Sequence, residues 1–282
     1  EPVGVVAAIV PWNMPQFLTM AKLVPALLAG CAVIVKPAPE TSLDALFLVK
    51  LFEEVGLPPG VVSVLPGDHT VGAHLVGHPG IDKVSFTGST AVGKAVAAAC
   101  AANLTKASLE LGGKSAAIIL DDADPATVAA GVRSASLSNS GQICNALTRI
   151  LVPAARQHEF VDALAAEIAA ITVGDPTDPQ TQLGPLVNRR QQQRVLDYIR
   201  IGQDEGARAA GHRARQKAPR WDSGRGAAKG NGGKRFPSAR YAYSRGTRAS
   251  SNCASVSLGH SEACTSPMCA FFRKNMQRRD WP

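Results

Sequence analysis

From Val5 to Glu205, short apolar runs alternate with amphipathic stretches, and this alternation constrains the fold more tightly than anything else in the chain. Residues 5–10 read as a strand, 14–29 as a helix despite Pro25, and 32–36 as a second strand rich in β-branched residues. A third unit follows, with Thr41 and Asp44 as a capping box, Leu43, Leu46, Phe47 and Leu51 on one apolar face, and Gly56 and Pro58 as its stop. Strands at 61–65, 83–86, 108–111 and 116–120, with helices at 70–76 and 90–102, continue the pattern. Repeated βα units of this kind predict an α/β fold, a mostly parallel sheet with helices on both faces. Asp124-Pro125 opens a further helix to about Leu137, because a carboxylate at the N-cap and proline at the first helical position both favour helix initiation. A strand at 148–152, a helix at 156–171, a Pro-rich turn and a polar helix at 187–205 complete the alternation.

The pattern stops at Gly211. Residues 211–282 hold one Val (Val256), one Leu (Leu258) and no Ile, too few to build a core, and no secondary structure is expected there. Charge divides at the same place. The whole chain is +8, but residues 1–210 carry 15 basic and 19 acidic side chains, whereas 211–282 carry 15 basic and 3 acidic. The basic balance is therefore no property of the folded body, and a specific nucleic-acid partner is not expected. Arg240, Arg245 and Arg248 near Phe236, Tyr241 and Tyr243 would bind polyanions only weakly and in a salt-dependent way. Six scattered cysteines show no disulfide framework or zinc spacing, so no metal site is expected. No run of ~18 apolar residues and no signal peptide is visible. The expectation is a cytoplasmic body, cut short at its front.

Four stretches can carry chemistry. Cys144 lies in Asn139-Ser-Gly-Gln-Ile-Cys-Asn, a loop following a helix. Most single cysteines are small buried hydrophobes, but polar neighbours and a turn-permitting Gly141 suit a thiolate nucleophile, which needs partial exposure and a nearby base. Glu110, in Glu-Leu-Gly-Gly-Lys, is either a solvated strand end or a general base toward the thiol or a hydrolytic water. Asn13, after Pro11-Trp12, either satisfies turn backbone groups or donates its amide to a developing oxyanion. In Phe86-Thr-Gly-Ser-Thr-Ala-Val-Gly-Lys94 a strand passes into a helix whose N-terminus can hold a diphosphate, with Ser89 donating and Gly88 permitting close approach. Lys36, at the end of the second strand, either reaches cofactor hydroxyls or phosphate or is solvated there.

Taken in order, Pro-Trp-Asn at 11–13, Lys-Pro-Ala-Pro-Glu-Thr at 36–41, Phe-Thr-Gly-Ser-Thr at 86–90, Glu-Leu-Gly-Gly-Lys at 110–114 and Gly-Gln-Ile-Cys at 141–144 resemble the aldehyde dehydrogenase superfamily. The 34-residue step from Glu110 to Cys144 is similar to the family's spacing. The resemblance covers about residues 1–210. It implies an incomplete variant Rossmann cofactor domain at 1–112, the start of the catalytic domain at 113–210, and a disordered or non-native basic tail at 211–282. It further implies NAD(P)-dependent oxidation of a small-molecule aldehyde to a carboxylic acid. Cys144 would form the thiohemiacetal and then the thioester, Asn13 would hold the oxyanion, and Glu110 would activate water. Pro11, Trp12, Lys36, Glu40, Gly67, Gly88, Ser89 and Gly93 would border the cofactor, and Met14, Phe17, Leu18 and Ile143 an apolar substrate entrance.

The chain also departs from the family. Many members have Glu three residues after the cofactor lysine, where it accepts from the ribose 2′-hydroxyl; here Pro39 stands in that place and Glu40 follows. NAD is the expected cofactor, with NADP left open. Neither the family's Glu-x-Phe-Gly-Pro motif nor the strand through which its members form homo-oligomers is visible after Ala210. The tail reads instead like translation in a shifted frame, so a catalytically inactive fragment is the alternative to a working enzyme.

Overall fold

The computed structural model describes residues 1–210, 241–244 and 253–258. It divides into two compact units, Glu1–Gly112 and the chain from Gly113 onward.

The first unit is a five-stranded, wholly parallel sheet in the order β3-β2-β1-β4-β5: β1 (Val5–Ile9), β2 (Ala32–Lys36), β3 (Val62–Val64), β4 (Lys83–Gly88) and β5 (Lys106–Leu111). Period-two side chains sort β1 between two cores. Val6, Ala8 and Val10 join Val33, Val35 and Leu23 of helix α1 (Pro15–Leu28), with Phe52 of α2 (Ser42–Glu54) packed against them. Ala7 faces the other way, to Val84 and Phe86, where α3 (His69–Gly77) supplies Leu75 and Val76 and α4 (Thr90–Ala102) supplies Val96 and Cys100. This is the double-sided cover that the apolar runs imply. The chain winds outward from β1 to β3 and then crosses back to β4. Strand order therefore reverses between β1 and β4, and in open parallel sheets the crevice beyond the carboxyl ends at such a reversal is where ligands bind.

The second unit packs α5 (Pro125–Leu137) and α6 (Gln157–Ala169) on β6 (Ala116–Ile118) and β7 (Arg149–Pro153), burying Val132, Ile150, Val152, Phe160, Leu164 and Ile168. Asp124 caps α5, its carboxylate accepting from Thr127 N at 2.8 Å. Helix α7 (Arg189–Asp204) is capped by Asn188, and β8 (Arg208–Ala210) follows it.

Three expectations are corrected. Thr41 makes no capping hydrogen bond, because its backbone (φ −131°, ψ 27°) follows a 3-10 turn and lacks the extended geometry that capping requires. Asp44 is instead held by Gln16 Nε2 at 2.7 Å. The apolar face of α2 points outward, with Leu43 84% and Phe47 59% exposed, and the core takes Ala45 and Leu48. Beyond Gly211, two segments are strands: β9 (Tyr241–Ser244) and β10 (Cys253–Leu258) complete a mixed sheet, β6-β7-β10-β9-β8. Strand pairing draws on backbone groups that every non-proline residue carries, so it does not need the apolar residues this segment lacks. The rest of the basic tail, on which the expectation of disorder and the arginine cluster fall, lies outside the described residues.

Candidate active site

In the first unit the candidate residues gather at the carboxyl ends of β1, β2 and β4. Val10 N bonds to Lys36 O at 3.1 Å, fixing the start of the Pro11–Asn13 turn against the end of β2. Trp12 and Asn13 are half-buried there. Lys36 is only 5% exposed, so the alternative of a solvated strand end does not hold. Its Nζ donates to Gly67 O at 2.8 Å and Pro37 O at 3.0 Å. Burial pushes its pKa below the ordinary lysine value, and the Asp68 and Glu40 carboxylates pull it partly back. Helix α3 passes so close to this side chain that a Cβ at Gly72 would lie 3.3 Å from Lys36 Cε. The lysine is thus held straight by its neighbours, and two carbonyls leave its ammonium one donor for a ligand.

The β4–α4 turn has the form expected of a diphosphate seat. Ser89 is the N-cap of α4, its Oγ accepting from Val92 N at 3.4 Å, which leaves its hydroxyl proton able to donate. A Cβ at Gly93 would stand 2.5 Å from Leu111 Cδ2, so glycine there lets α4 close onto β5. Beside Gly88, Thr87 is 6% exposed and its Oγ1 has no hydrogen-bond partner. A buried hydroxyl without a partner is costly unless a ligand supplies one. With the buried Lys36 and the open helix N-terminus, it makes this crevice chemically suited to a dinucleotide.

Lys22 escaped the sequence reading. It is 9% exposed, donates to Ser85 Oγ at 3.1 Å, and has its pKa lowered by burial against a rise from Glu110. As the single charged residue in the 14 of α1, it carried a signal that could have been noticed. Glu110 itself is exposed on β5, beside Thr87 in the β4–β5 register.

In the second unit Cys144 is exposed, in the loop between α5 and β7. The approach to it is conformationally unusual: Asn139 (φ 51°), Ser140 (φ 57°) and Gly141 (φ 78°) are all left-handed in succession. Asparagine tolerates this region and glycine is at home in it, but a serine there costs about 1 kcal/mol or more. Ser136, 1% exposed, donates from Oγ to Leu147 O at 2.7 Å on the far side of the thiol. A Cβ at Gly113 would reach Cys144 O at 3.7 Å, so the Gly112-Gly113 turn runs alongside the cysteine backbone. A cavity of about 360 Å³ in this unit, between Arg133, Glu167 and Leu183, is lined by none of the candidate residues. Among the described residues no group of three or more His, Cys, Asp or Glu is placed to hold a metal ion.

Residues 1–223 match the sequence model of the aldehyde dehydrogenase family. The chain belongs to that family. Among the relatives of this chain, geranial dehydrogenase of Castellaniella defragrans is 49% identical over 211 residues, 75% of this chain and 44% of that protein. Aldehyde dehydrogenase family 2 member C4 of Arabidopsis thaliana is 46% identical over 209 residues, 73% and 42% of the two chains. The NAD+ complex of aldehyde dehydrogenase from Bacillus cereus superposes with a TM-score of 0.73 at 44% identity, covering 77% of this chain and 45% of that one. The chain thus spans less than half the length of the curated relatives it matches.

Proposed function

We propose that this chain carries the cofactor cradle and the thiol of an NAD-dependent enzyme that oxidises aldehydes to carboxylic acids. One observation above the others supports the reading: in a member of this family, an exposed cysteine sits on a strained loop, where strain persists only if the surroundings impose it. Lys36, Gly67, Ser89 and Thr87 would hold the dinucleotide, with Pro11, Trp12, Gly88 and Gly93 shaping its bed and Glu40 near the lysine. NAD, when bound, supplies a two-electron acceptor for hydride.

The protein's own residues do the rest. The Cys144 thiolate attacks the aldehyde carbon, forming a C–S bond as the carbonyl π electrons move to oxygen. The Asn13 side-chain amide donates to that oxyanion, a contribution of ~3–4 kcal/mol at sites of this type. After hydride leaves the carbon, a thioester to Cys144 remains. Glu110 takes a proton from water as the water attacks, the C–S bond breaks, and acid and thiol are released. Residues 1–112 would form the cofactor domain and 113–210 part of the catalytic domain. A cytoplasmic location belongs to the same reading; among the described residues no helix is long and apolar enough to cross a membrane.

The preference for NAD over NADP rests on the Glu40 carboxylate, close enough to Lys36 to act on its charge. A ribose 2′-phosphate would meet that negative charge. Fluorescence titration is expected to show tighter binding of NAD, and tight binding of NADP alone would overturn the preference. The purified chain, supplied with short and long aldehydes, is expected to reduce NAD, with Cys144→Ala lowering the rate by at least about 10³-fold. The chain spans less than half the length of the relatives it matches, and the alternative reading is a chain that binds NAD but turns nothing over. Binding without turnover in the unsubstituted chain would establish that alternative.

A further inference from the structure

The left-handed run before Cys144 does not hold itself. Ser140 Oγ donates to Gly184 O at 3.0 Å, across 44 residues of sequence. Gln142 uses both ends of its carboxamide: Nε2 donates to Asn139 O at 3.0 Å, closing the turn, and Oε1 accepts from Val187 N at 3.0 Å, across 45 residues. The two distant contacts land three residues apart in one short segment.

That segment is fixed at both ends. Before it, Leu183 bridges Val173 and bonds to Thr172 O at 3.1 Å, Gly174 N returns to Leu183 O at 3.1 Å, and Leu183 packs on the core of the unit. After it, Asn188 caps α7 by accepting from Gln191 N at 3.0 Å. The segment therefore offers two hydrogen-bonding groups at a fixed separation. Ser140 and Gln142 occupy both, on either side of the buried Gly141.

We infer that Ser140 and Gln142 are positioning residues: a two-point clamp onto Gly184–Val187 that imposes the left-handed backbone and so presents Cys144 to the substrate. The inference rests on the reading of Cys144 as the nucleophile. It explains why a serine occupies a conformation that glycine would adopt freely, since glycine would surrender the hydroxyl.

Native-state amide exchange in the intact chain tests the clamp without any need for turnover. Ser140→Ala and Gln142→Ala are each expected to speed exchange of the Gln142–Cys144 amides about tenfold, leaving the α5 amides unchanged. In an aldehyde assay the two clamp variants should lose kcat by roughly tenfold with KM within about twofold, the pattern of a displaced nucleophile. Unchanged exchange in either clamp variant, or equal acceleration of the α5 amides, would overturn the inference. An unsubstituted chain that oxidises no aldehyde would instead sink the enzymatic reading, while the exchange rates still decide on the clamp.

Discussion

The two halves of the chemistry are built in opposite ways. The proposed cofactor cradle of the first unit sits on regular structure: strand ends, a capped helix, and glycines where helix meets strand. The Cys144 loop of the second unit departs from regular backbone and depends on contacts made more than 40 residues away. A cradle that binds a large, invariant ligand gains from rigid secondary elements, which place backbone donors with little freedom. A nucleophile must project from the structure, and a projecting loop needs ties from outside itself.

Substitutions on the two sides should therefore fail differently. Glu110→Gln is expected to produce the largest effect after loss of the cysteine itself, slowing thioester hydrolysis about 10²–10³-fold while a first turnover of NADH still appears as a burst. Stopped-flow absorbance checks this, and loss of the burst along with the steady state would assign Glu110 to the first step instead. On the cradle side, Lys36→Met should weaken NAD about tenfold and lower thermal stability only modestly, because the loss of the donor to Gly67 O and Pro37 O is offset in part by removal of a buried charge. Calorimetric titration beside a thermal melt separates the two effects.

Lys114, next to the Gly112-Gly113 turn, gives a pH test of the second unit. Burial, with the like charge of Arg149 adding to it, lowers its pKa from 10.5 to about 8. Below pH 8 both folded and unfolded chains hold the proton and the penalty is full. Between 8 and 10.5 the unfolded chain alone binds it, so stability rises with pH. Lys114→Met should then stabilise the chain at pH 7 by about 1 kcal/mol, a figure reduced for solvent screening of a half-exposed group, and that gain should vanish by pH 10.5. Urea unfolding at both pH values tests the sign. The smallest effect belongs to Leu104, left-handed (φ 54°) and 92% exposed after α4. Leu104→Gly should gain about 0.5–1 kcal/mol, measured as a shift in melting midpoint, since no clamp of the Ser140 kind holds it.

Much of the first unit was legible because its signals are local. Alternating apolar runs specify βα units, and 90–102 forms the helix read from it; in the second unit Asp124 caps α5 as its position before Pro125 implies. The failures are instructive for the same reason. Thr41 and Asp44 have the composition of a capping box, yet a preceding 3-10 turn and the amide of Gln16 redirected both. The apolar face of α2 was correctly seen as apolar and wrongly expected to be the buried one. Strands β9 and β10 were invisible because strand pairing uses the backbone, which sequence composition does not report.

By itself, the sequence determined the chemistry available: a thiol, a carboxylate, an amide and a lysine, in an order and spacing that also mark the family. It determined most of the secondary structure, because period and capping act over a few residues. Only the tertiary structure decided that Lys36 is buried against Gly67, that Thr87 is left without a partner, and that Ser140 and Gln142 reach Gly184 and Val187. Each of those facts joins residues about 30 or more apart or depends on what surrounds a side chain in space, and no local pattern encodes either.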